Sequence, residues 1–206
     1  QAAVIETGLD HFGQIRYMGS LVQPTIAVIT NIGDAHIENL GGTRPGILQA
    51  KCEIFDHLRP GGLAVLCGDD PLLNGLTLPF ETLRCGKGES CNVRVTDIVR
   101  RGIDGLDCTV TTSRRSYRLS IPSPGDYMIS PASMAAAIGE YLDLSEQEIV
   151  EGVAGYVSTG SRMRRIRLPE DRLIIDDCYN ANPQSVTAAL EILAKTECGR
   201  KVAVLG

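Results

Sequence analysis

Two apolar runs in this chain end abruptly in polar side chains, and this pattern constrains the fold more than any other feature. Residues 25–30, Thr-Ile-Ala-Val-Ile-Thr, lead into Asn-Ile-Gly-Asp-Ala-His-Ile-Glu at 31–38. Ile174 and Ile175 lead in the same way into Asp-Asp-Cys-Tyr-Asn-Ala-Asn at 176–182. Short apolar runs rich in β-branched residues are typical of buried strands, and open α/β sheets carry their sites at the carboxyl ends of such strands. The chain is therefore expected to be an α/β protein with polar sites at two strand ends.

A helical pattern and a further apolar run follow the second polar cluster. Apolar residues recur at helical spacing between residues 186 and 193, after Pro183. The sequence Lys-Val-Ala-Val-Leu-Gly at 201–206 is typical of a strand. Together these segments predict a βαβ unit with polar groups at its first turn.

The pattern of elements changes along the chain. Up to about residue 76, strands, loops and helices alternate, which predicts a mostly parallel sheet flanked by helices; residues 2–5 are included as a short strand. Residues 77–122 contain short alternating segments that predict a small antiparallel β insert. We expect a first domain over residues 1–158 and the start of a second over residues 159–206.

Composition restricts the partners and the compartment. The net charge of -5 and the absence of a dense Lys/Arg run argue against nucleic acid or an anionic membrane as a partner. The seven cysteines lack the paired spacing of a metal site, and the sequence has no signal-like or membrane-length apolar segment. We therefore expect a cytoplasmic protein without membrane insertion, and we take a monomer as its simplest state.

Six short motifs carry a resemblance to a known family. They occur in order along nearly the whole chain, at residues 4–8, 29–36, 50–54, 68–71, 160–163 and 176–185. They resemble the motifs of the Mur ligases, which are ATP-dependent amide-bond-forming enzymes of peptidoglycan synthesis. The last motif, Asp-Asp-x-Tyr-Asn-Ala-Asn-Pro-x-Ser, is similar to that of the member that adds D-alanyl-D-alanine.

The resemblance implies a P-loop NTPase-like central domain followed by the first βαβ unit of a Rossmann-like C-terminal domain. In this family, a P-loop and a domain that binds the UDP-sugar precede the residue equivalent to Gln1, and most of a third domain follows Gly206. No Gly-x-x-x-x-Gly-Lys-Ser/Thr sequence occurs in the 206 residues. We therefore expect a piece of a longer ligase that is inactive by itself.

The resemblance also implies a reaction. D-Alanyl-D-alanine is joined to a UDP-N-acetylmuramoyl tripeptide through an acyl phosphate, which forms when the tripeptide carboxylate attacks the γ-phosphate of ATP. ATP and Mg²⁺ are the implied cofactors. Two alternatives stay open: a related Mur-type, folylpolyglutamate-type or cyanophycin-type ligase, and a diverged noncatalytic homologue.

The resemblance assigns metal and catalytic roles around the first polar cluster. It implies that Glu6 and His36 hold magnesium, that Lys51 holds a second ion if it is carbamylated, and that Asn31 contacts the cofactor. A carboxylate is a hard oxygen ligand that suits magnesium, whereas a histidine is an unusual one. The competing interpretations are a hydrogen-bonded histidine at a strand end and a surface lysine on an amphipathic helix.

The resemblance assigns nucleotide contacts to the second polar cluster and to the locally basic segment at residues 162–167. Arg162 is expected to neutralise charge on ATP or on the acyl phosphate, with Arg164 and Arg165 as competitors for that role. Asp177 is expected to accept hydrogen bonds from the ribose hydroxyls. Tyr179, Asn180 and Asn182 are expected to line the nucleotide or the incoming dipeptide. The competing interpretation is an Asx-rich turn whose side chains make local hydrogen bonds.

One segment departs from the family pattern. The family has Gly-x-His-Asn-x-x-Asn before its Ala-rich helix, whereas this chain has Gly-Asp-Tyr-Met-Ile-Ser-Pro at 125–131. Met128 and Pro131 thus replace two asparagines that contact the base region in relatives. The resemblance then implies that adenine recognition is altered, compensated by stacking of Tyr127, or partly lost, and we assign no base-binding role to this segment.

Overall fold

Parallel strands form the centre of the first of two units, Gln1–Arg94. The computed structural model describes residues 2–205. Strands β1 (Ile26–Ile29), β2 (Leu63–Cys67) and β3 (Glu81–Gly86) pair in parallel, and β3 pairs in parallel with the start of β4 (Val93–Arg100). All five residues of β2 are buried, which is typical of a parallel strand covered on both faces.

Helices in the first unit begin at side-chain caps supplied by polar residues. These helices are α1 (Gln14–Val22), α2 (Arg44–Cys52) and α3 (Pro71–Asn74). Two short 3₁₀ helices, at Ile37–Asn39 and Glu53–His57, begin without such a cap. The buried Glu53 carboxylate accepts hydrogen bonds from the backbone N–H groups of Gly13 and Arg16 at the start of α1. Such caps satisfy N–H groups that have no partner inside the helix.

The second unit, Val95–Gly206, contains antiparallel pairs and, within residues 95–205, three α-helices. Strand β5 (Leu106–Thr111) pairs antiparallel with β6 (Ser116–Ile121), and β7 (Arg164–Leu168) pairs antiparallel with β8 (Arg172–Asp176). The helices are α4 (Ile129–Tyr141), α5 (Glu146–Ala154) and α6 (Pro183–Lys195). The strands β7 and β8 form a separate two-stranded sheet.

The strand order β1-β2-β3-β4-β5-β6 follows the chain, and the resulting sheet is mixed. The predicted α/β class is therefore confirmed, and so is the antiparallel insert at β5 and β6. The antiparallel prediction was wrong for β3, which pairs in parallel with β2 along its length. Alternation of apolar and polar side chains shows that one face of a strand is buried. It does not distinguish parallel from antiparallel pairing.

Two predicted strands do not form. Residues 2–5 and 201–205 have no strand structure, and Val4 and Val204 are 99% and 92% exposed. Residue 206, the last of the second predicted strand, lies outside the described residues. A strand exists only beside a hydrogen-bonded neighbour, and neither segment has one among residues 2–205. Of the predicted βαβ unit, β8 and α6 are therefore present, and β8 pairs with β7 instead.

A membrane-spanning helix is not found within residues 2–205, because none of their helices is both long and apolar enough to cross a bilayer.

Candidate functional site

Lys51 and Asn31 lie together at the carboxyl end of β1. The Nζ of Lys51, on the last turn of α2, donates a hydrogen bond of 2.7 Å to the backbone carbonyl of Asn31. Burial lowers the pKa of Lys51, and the negative charge of Asp70 partly opposes that effect. A half-buried lysine with a lowered pKa spends more time as a neutral amine, which is the nucleophilic form. The interpretation as a freely solvated surface lysine is therefore not supported.

The loop that follows Asn31 is anchored on both sides of Ile32, which is 1% exposed. The N–H of Ile32 donates to Oδ2 of Asp70 at 2.9 Å, and its carbonyl accepts from Nε and Nη2 of Arg44 at 3.1 and 2.5 Å. Four residues farther along, His36 has an exposed ring and a left-handed backbone (φ 58°), a conformation in which histidine is enriched.

Glu6 lies in an exposed segment without regular structure. Within residues 2–205, no three His, Cys, Asp or Glu side chains lie close enough together to hold a metal ion. The structure therefore does not gather Glu6 and His36 into a preformed metal cluster. Magnesium commonly takes only one or two carboxylates and completes its shell with water and phosphate, so the carboxylate of Glu6 still fits such a site chemically.

The second group of predicted residues is held by contacts between two short motifs. The N–H of Tyr179 donates to the Ser161 carbonyl at 3.1 Å, and the N–H of Met163 donates to Oδ1 of Asp177 at 2.9 Å. The guanidinium carbon of Arg162 lies 4.4 Å from the centroid of the Tyr179 ring. The fold thus brings residues 160–163 and 176–182 together and places a cation on an aromatic face.

Asn180 and Asn182 make the local hydrogen bonds of the competing interpretation. Oδ1 of Asn182 accepts from the N–H of Ser185 at 2.9 Å, and the Ser185 hydroxyl accepts from the N–H of Asn182 at 3.1 Å. This reciprocal pair caps α6. Oδ1 of Asn180 accepts from the N–H of Ala181 at 2.9 Å. Both side-chain carbonyls therefore support the turn.

The segment that departs from the family pattern forms a 3₁₀ turn, Asp126–Met128, immediately before α4. Tyr127 is 44% exposed, and burial of the remainder raises the pKa of its phenol. Gly125 has φ 100°, and a Cβ there would lie 2.4 Å from the Tyr127 ring, so glycine is required at this position. Asp126 forms an ion pair with Arg100, whose Nε and Nη2 donate to the two carboxylate oxygens at 2.8 and 2.5 Å.

Sequence reasoning missed Asp70 and Arg44 as parts of the first group. In the sequence, Asp70 belongs to the motif at residues 68–71, and no individual role is assigned to it there. The signal for part of its role was present, because Asp followed by Pro at the start of an apolar run is typical of a helix N-terminus. Its contact with Ile32, however, joins residues far apart in the chain and has no local signature.

Comparison with known proteins gives consistent matches. Residues 1–139 match the family described as Mur ligase middle domain. The chain is 33% identical to the UDP-N-acetylmuramoyl-tripeptide--D-alanyl-D-alanine ligase of Bacillus subtilis over 207 residues, which cover 100% of this chain and 44% of that protein. Its identity with the ligase of the same name from Escherichia coli is also 33%, over 99% of this chain and 45% of that protein.

Solved structures agree with the sequence matches. The crystal structure of MurF from Acinetobacter baumannii has a TM-score of 0.81 and 30% identity, covering 92% of this chain and 42% of that one. MurF ligase from Thermotoga maritima, solved in complex with ADP, shows the same fold with a TM-score of 0.76 and 24% identity, over 90% of this chain and 43% of that one. The chain thus spans less than half the length of these relatives.

Proposed function

Because this chain belongs to the Mur ligase family, we propose that it forms the ATP-handling part of an enzyme that joins D-alanyl-D-alanine to a UDP-N-acetylmuramoyl tripeptide. The observation that carries this proposal is the similarity, along the whole chain, to relatives that bear the name of that activity. The proposed reaction is ATP-dependent and produces ADP, phosphate and an amide bond.

The chemistry needs groups that neutralise negative charge. The tripeptide carboxylate attacks the γ-phosphorus of ATP, the bond to ADP breaks, and an acyl phosphate results. The amine of D-alanyl-D-alanine then attacks the acyl carbon, and phosphate leaves with the bridging oxygen as the amine loses a proton. Magnesium, when bound, would neutralise phosphate charge, and Glu6 and His36 would contribute ligands to it.

Lys51 would contribute to this site as a carbamate. Its neutral amine would attack carbon dioxide and lose a proton, which converts a cation into an anionic oxygen ligand. The lowered pKa of Lys51 supports this role, because burial favours the neutral amine. The modification would also remove an ammonium group that repels metal ions.

Arg162, which belongs to the second group of predicted residues, would bind phosphate oxygens. The guanidinium carbon of Arg162 lies over the Tyr179 ring, and a guanidinium is a planar group that can bind an anion through several N–H donors. Asp177 would accept from the ribose hydroxyls through the carboxylate oxygen that Met163 does not use. Tyr179 and the amide donors of Asn180 and Asn182 would line the nucleotide or the dipeptide.

We further propose that the first domain ends at residue 158 and that β7, β8 and α6 open the next.

All seven cysteines are free thiols, and all lie within the described residues. Free thiols support a reducing cytoplasm as the site of the reaction.

The test is phosphate release by the full-length protein, given ATP, Mg²⁺, UDP-N-acetylmuramoyl tripeptide and D-alanyl-D-alanine, with each component omitted in turn. We expect release only when all four are present, together with formation of the pentapeptide. No release from a folded protein would favour a noncatalytic homologue, for which the substitutions at Met128 and Pro131 are the specific observation.

A further inference from the structure

The two adjacent carboxylates of the motif at residues 68–71 hold different segments of the first unit. Asp69 accepts hydrogen bonds from the backbone N–H groups of Lys87, at 2.9 and 3.0 Å, and of Gly88, at 2.9 Å. It therefore holds the turn between β3 and β4. Asp70 makes none of these contacts and instead binds two other segments.

Asp70 joins the start of α3 to the loop that follows β1. Its Oδ1 accepts from the N–H groups of Leu72 and Leu73 at 2.9 and 3.3 Å, and its Oδ2 accepts from the N–H of Ile32 at 2.9 Å. The residue is only 8% exposed. A buried carboxylate is costly unless it is hydrogen-bonded, so these three donors are needed for its burial.

Arg44 completes the anchor from the other side of the same residue. It donates to the carbonyl of Ile32 through Nε and Nη2, and its Nη2 also lies 3.5 Å from Oδ2 of Asp70. Both backbone groups of Ile32 are thus bound by charged side chains from separate elements. Hydrogen bonds to charged groups are stronger than neutral ones, so this anchor is expected to be rigid.

We propose that Asp70 is a positioning residue that acts through Ile32 on the two neighbouring site residues. Asn31 precedes Ile32, and its carbonyl receives the Nζ of Lys51. His36 follows on the same loop. Releasing the N–H of Ile32 therefore loosens the carbonyl that orients Lys51 and the loop that carries His36. The catalytic consequence rests on the proposed function, whereas the anchoring of the loop does not.

The experiment compares Asp70→Asn with Asp69→Asn in the full-length protein. Asparagine caps a helix about as well as aspartate, so Asp70→Asn keeps the cap of α3. Its amide group is a donor, however, and cannot accept from the N–H of Ile32 while the carbonyl oxygen serves the cap. Asp69→Asn makes the same chemical change at the β3–β4 turn and serves as the matched control.

Three quantities are measured for each variant: amide hydrogen exchange in residues 30–37, kcat for phosphate release, and the melting temperature. For Asp70→Asn we expect exchange at Ile32 to rise and kcat to fall, each by about tenfold or more, because a hydrogen bond to a charged group is lost. For Asp69→Asn we expect exchange at Ile32 and kcat to stay within about twofold of wild type. This holds even if its melting temperature falls as much as that of Asp70→Asn. If Asp70 had a purely structural role, its substitution would change the melting temperature, but exchange at Ile32 and kcat would not differ between the two variants.

Two results would overturn the proposal: unchanged exchange at Ile32 in Asp70→Asn, or an equal loss of kcat in Asp69→Asn. If the wild-type protein releases no phosphate, the proposed function fails, and the exchange data alone decide whether Asp70 holds the loop. If Asp70→Asn does not fold, Arg44→Met replaces it. That variant leaves Asp70 intact and should raise exchange in residues 30–37 and lower kcat, and wild-type values for both would also overturn the proposal.

Discussion

The two groups of predicted site residues are held in different ways. In the first unit, the loop with Asn31 and His36 follows β1, which pairs with the buried strand β2, and the loop is anchored by the buried Asp70. In the second unit, β7, β8 and α6 contain no fully buried residue. Arg162 and its neighbours are held there by hydrogen bonds between residues 160–163 and 176–182 and by one aromatic contact. The first group is therefore fixed by the core, and the second by contacts between two short motifs.

The largest expected effect comes from Lys51→Ala in the full-length enzyme. We expect ligation to fall by at least about a hundredfold, because the variant lacks a ligand for a metal ion whose charge stabilisation contributes several kcal/mol. A short-chain carboxylate such as acetate should restore part of the activity, since it supplies the missing anionic oxygen. The measurement is the rate of pentapeptide formation with and without acetate.

The control for that variant is Lys87→Ala, which removes a lysine from the exposed β3–β4 turn. It should leave the rate of ligation unchanged. Full activity in Lys51→Ala would show that Lys51 has no role in the reaction. The first group of predicted site residues would then lose its main catalytic member.

Truncating a side chain should cost more stability in β2 of the first unit than in β8 of the second. Leu66→Ala in β2 removes a side chain with 0% exposure and should lower the free energy of unfolding by about 2–5 kcal/mol. Ile174→Ala in β8 truncates a side chain that is 47% exposed and should cost less than about 1.5 kcal/mol. Urea unfolding of the two variants checks this, and equal losses would show that β8 is as tightly packed as β2.

The cap of α6 tests how much a local hydrogen bond stabilises the helix that follows the second group. Asn182→Ala should lower the free energy of unfolding by about 1 kcal/mol, because the N–H of Ser185 loses its acceptor. Asn182→Asp should retain stability, since aspartate is an equally good cap. Hydrogen exchange in the first turn of α6 reports the change, and protection equal to wild type in Asn182→Ala would be inconsistent with a capping role.

The smallest effect concerns the ring beneath Arg162. Tyr179→Leu removes the aromatic face and should raise the KM for ATP about two- to fivefold, the range expected from loss of an exposed cation–π contact worth about 0.5–1 kcal/mol. Tyr179→Phe keeps the face and should keep the KM. A rise in KM for Tyr179→Phe as large as for Tyr179→Leu would assign the effect to the hydroxyl group instead.

Several elements were predictable from sequence because their signals are local. The helix after Pro183 follows from its spacing of apolar residues and is seen as α6. Strand β1 follows from its β-branched run and is seen at Ile26–Ile29. The cap at Asn182 could also have been recognised, because Asn precedes Pro183 and lies three residues before Ser185.

Other features depended on partners far away in the chain. Residues 2–5 and 201–205 have strand-like composition but lie beside no strand within the described residues. The parallel pairing of β3 with β2 depends on a crossover, not on the pattern within β3. The contact between Lys51 and the Asn31 carbonyl follows from how α2 packs at the end of β1, which no spacing in the sequence records.

Transfer of oxygen-18 tests the proposed reaction most directly. The full-length enzyme is given UDP-N-acetylmuramoyl tripeptide labelled with oxygen-18 in both oxygens of its reacting carboxylate, together with ATP, Mg²⁺ and D-alanyl-D-alanine, and the released phosphate is analysed by mass spectrometry. Ligation through an acyl phosphate predicts one oxygen-18 atom in each phosphate, because the bridging oxygen comes from the carboxylate. Release of unlabelled phosphate alongside amide formation would contradict the account.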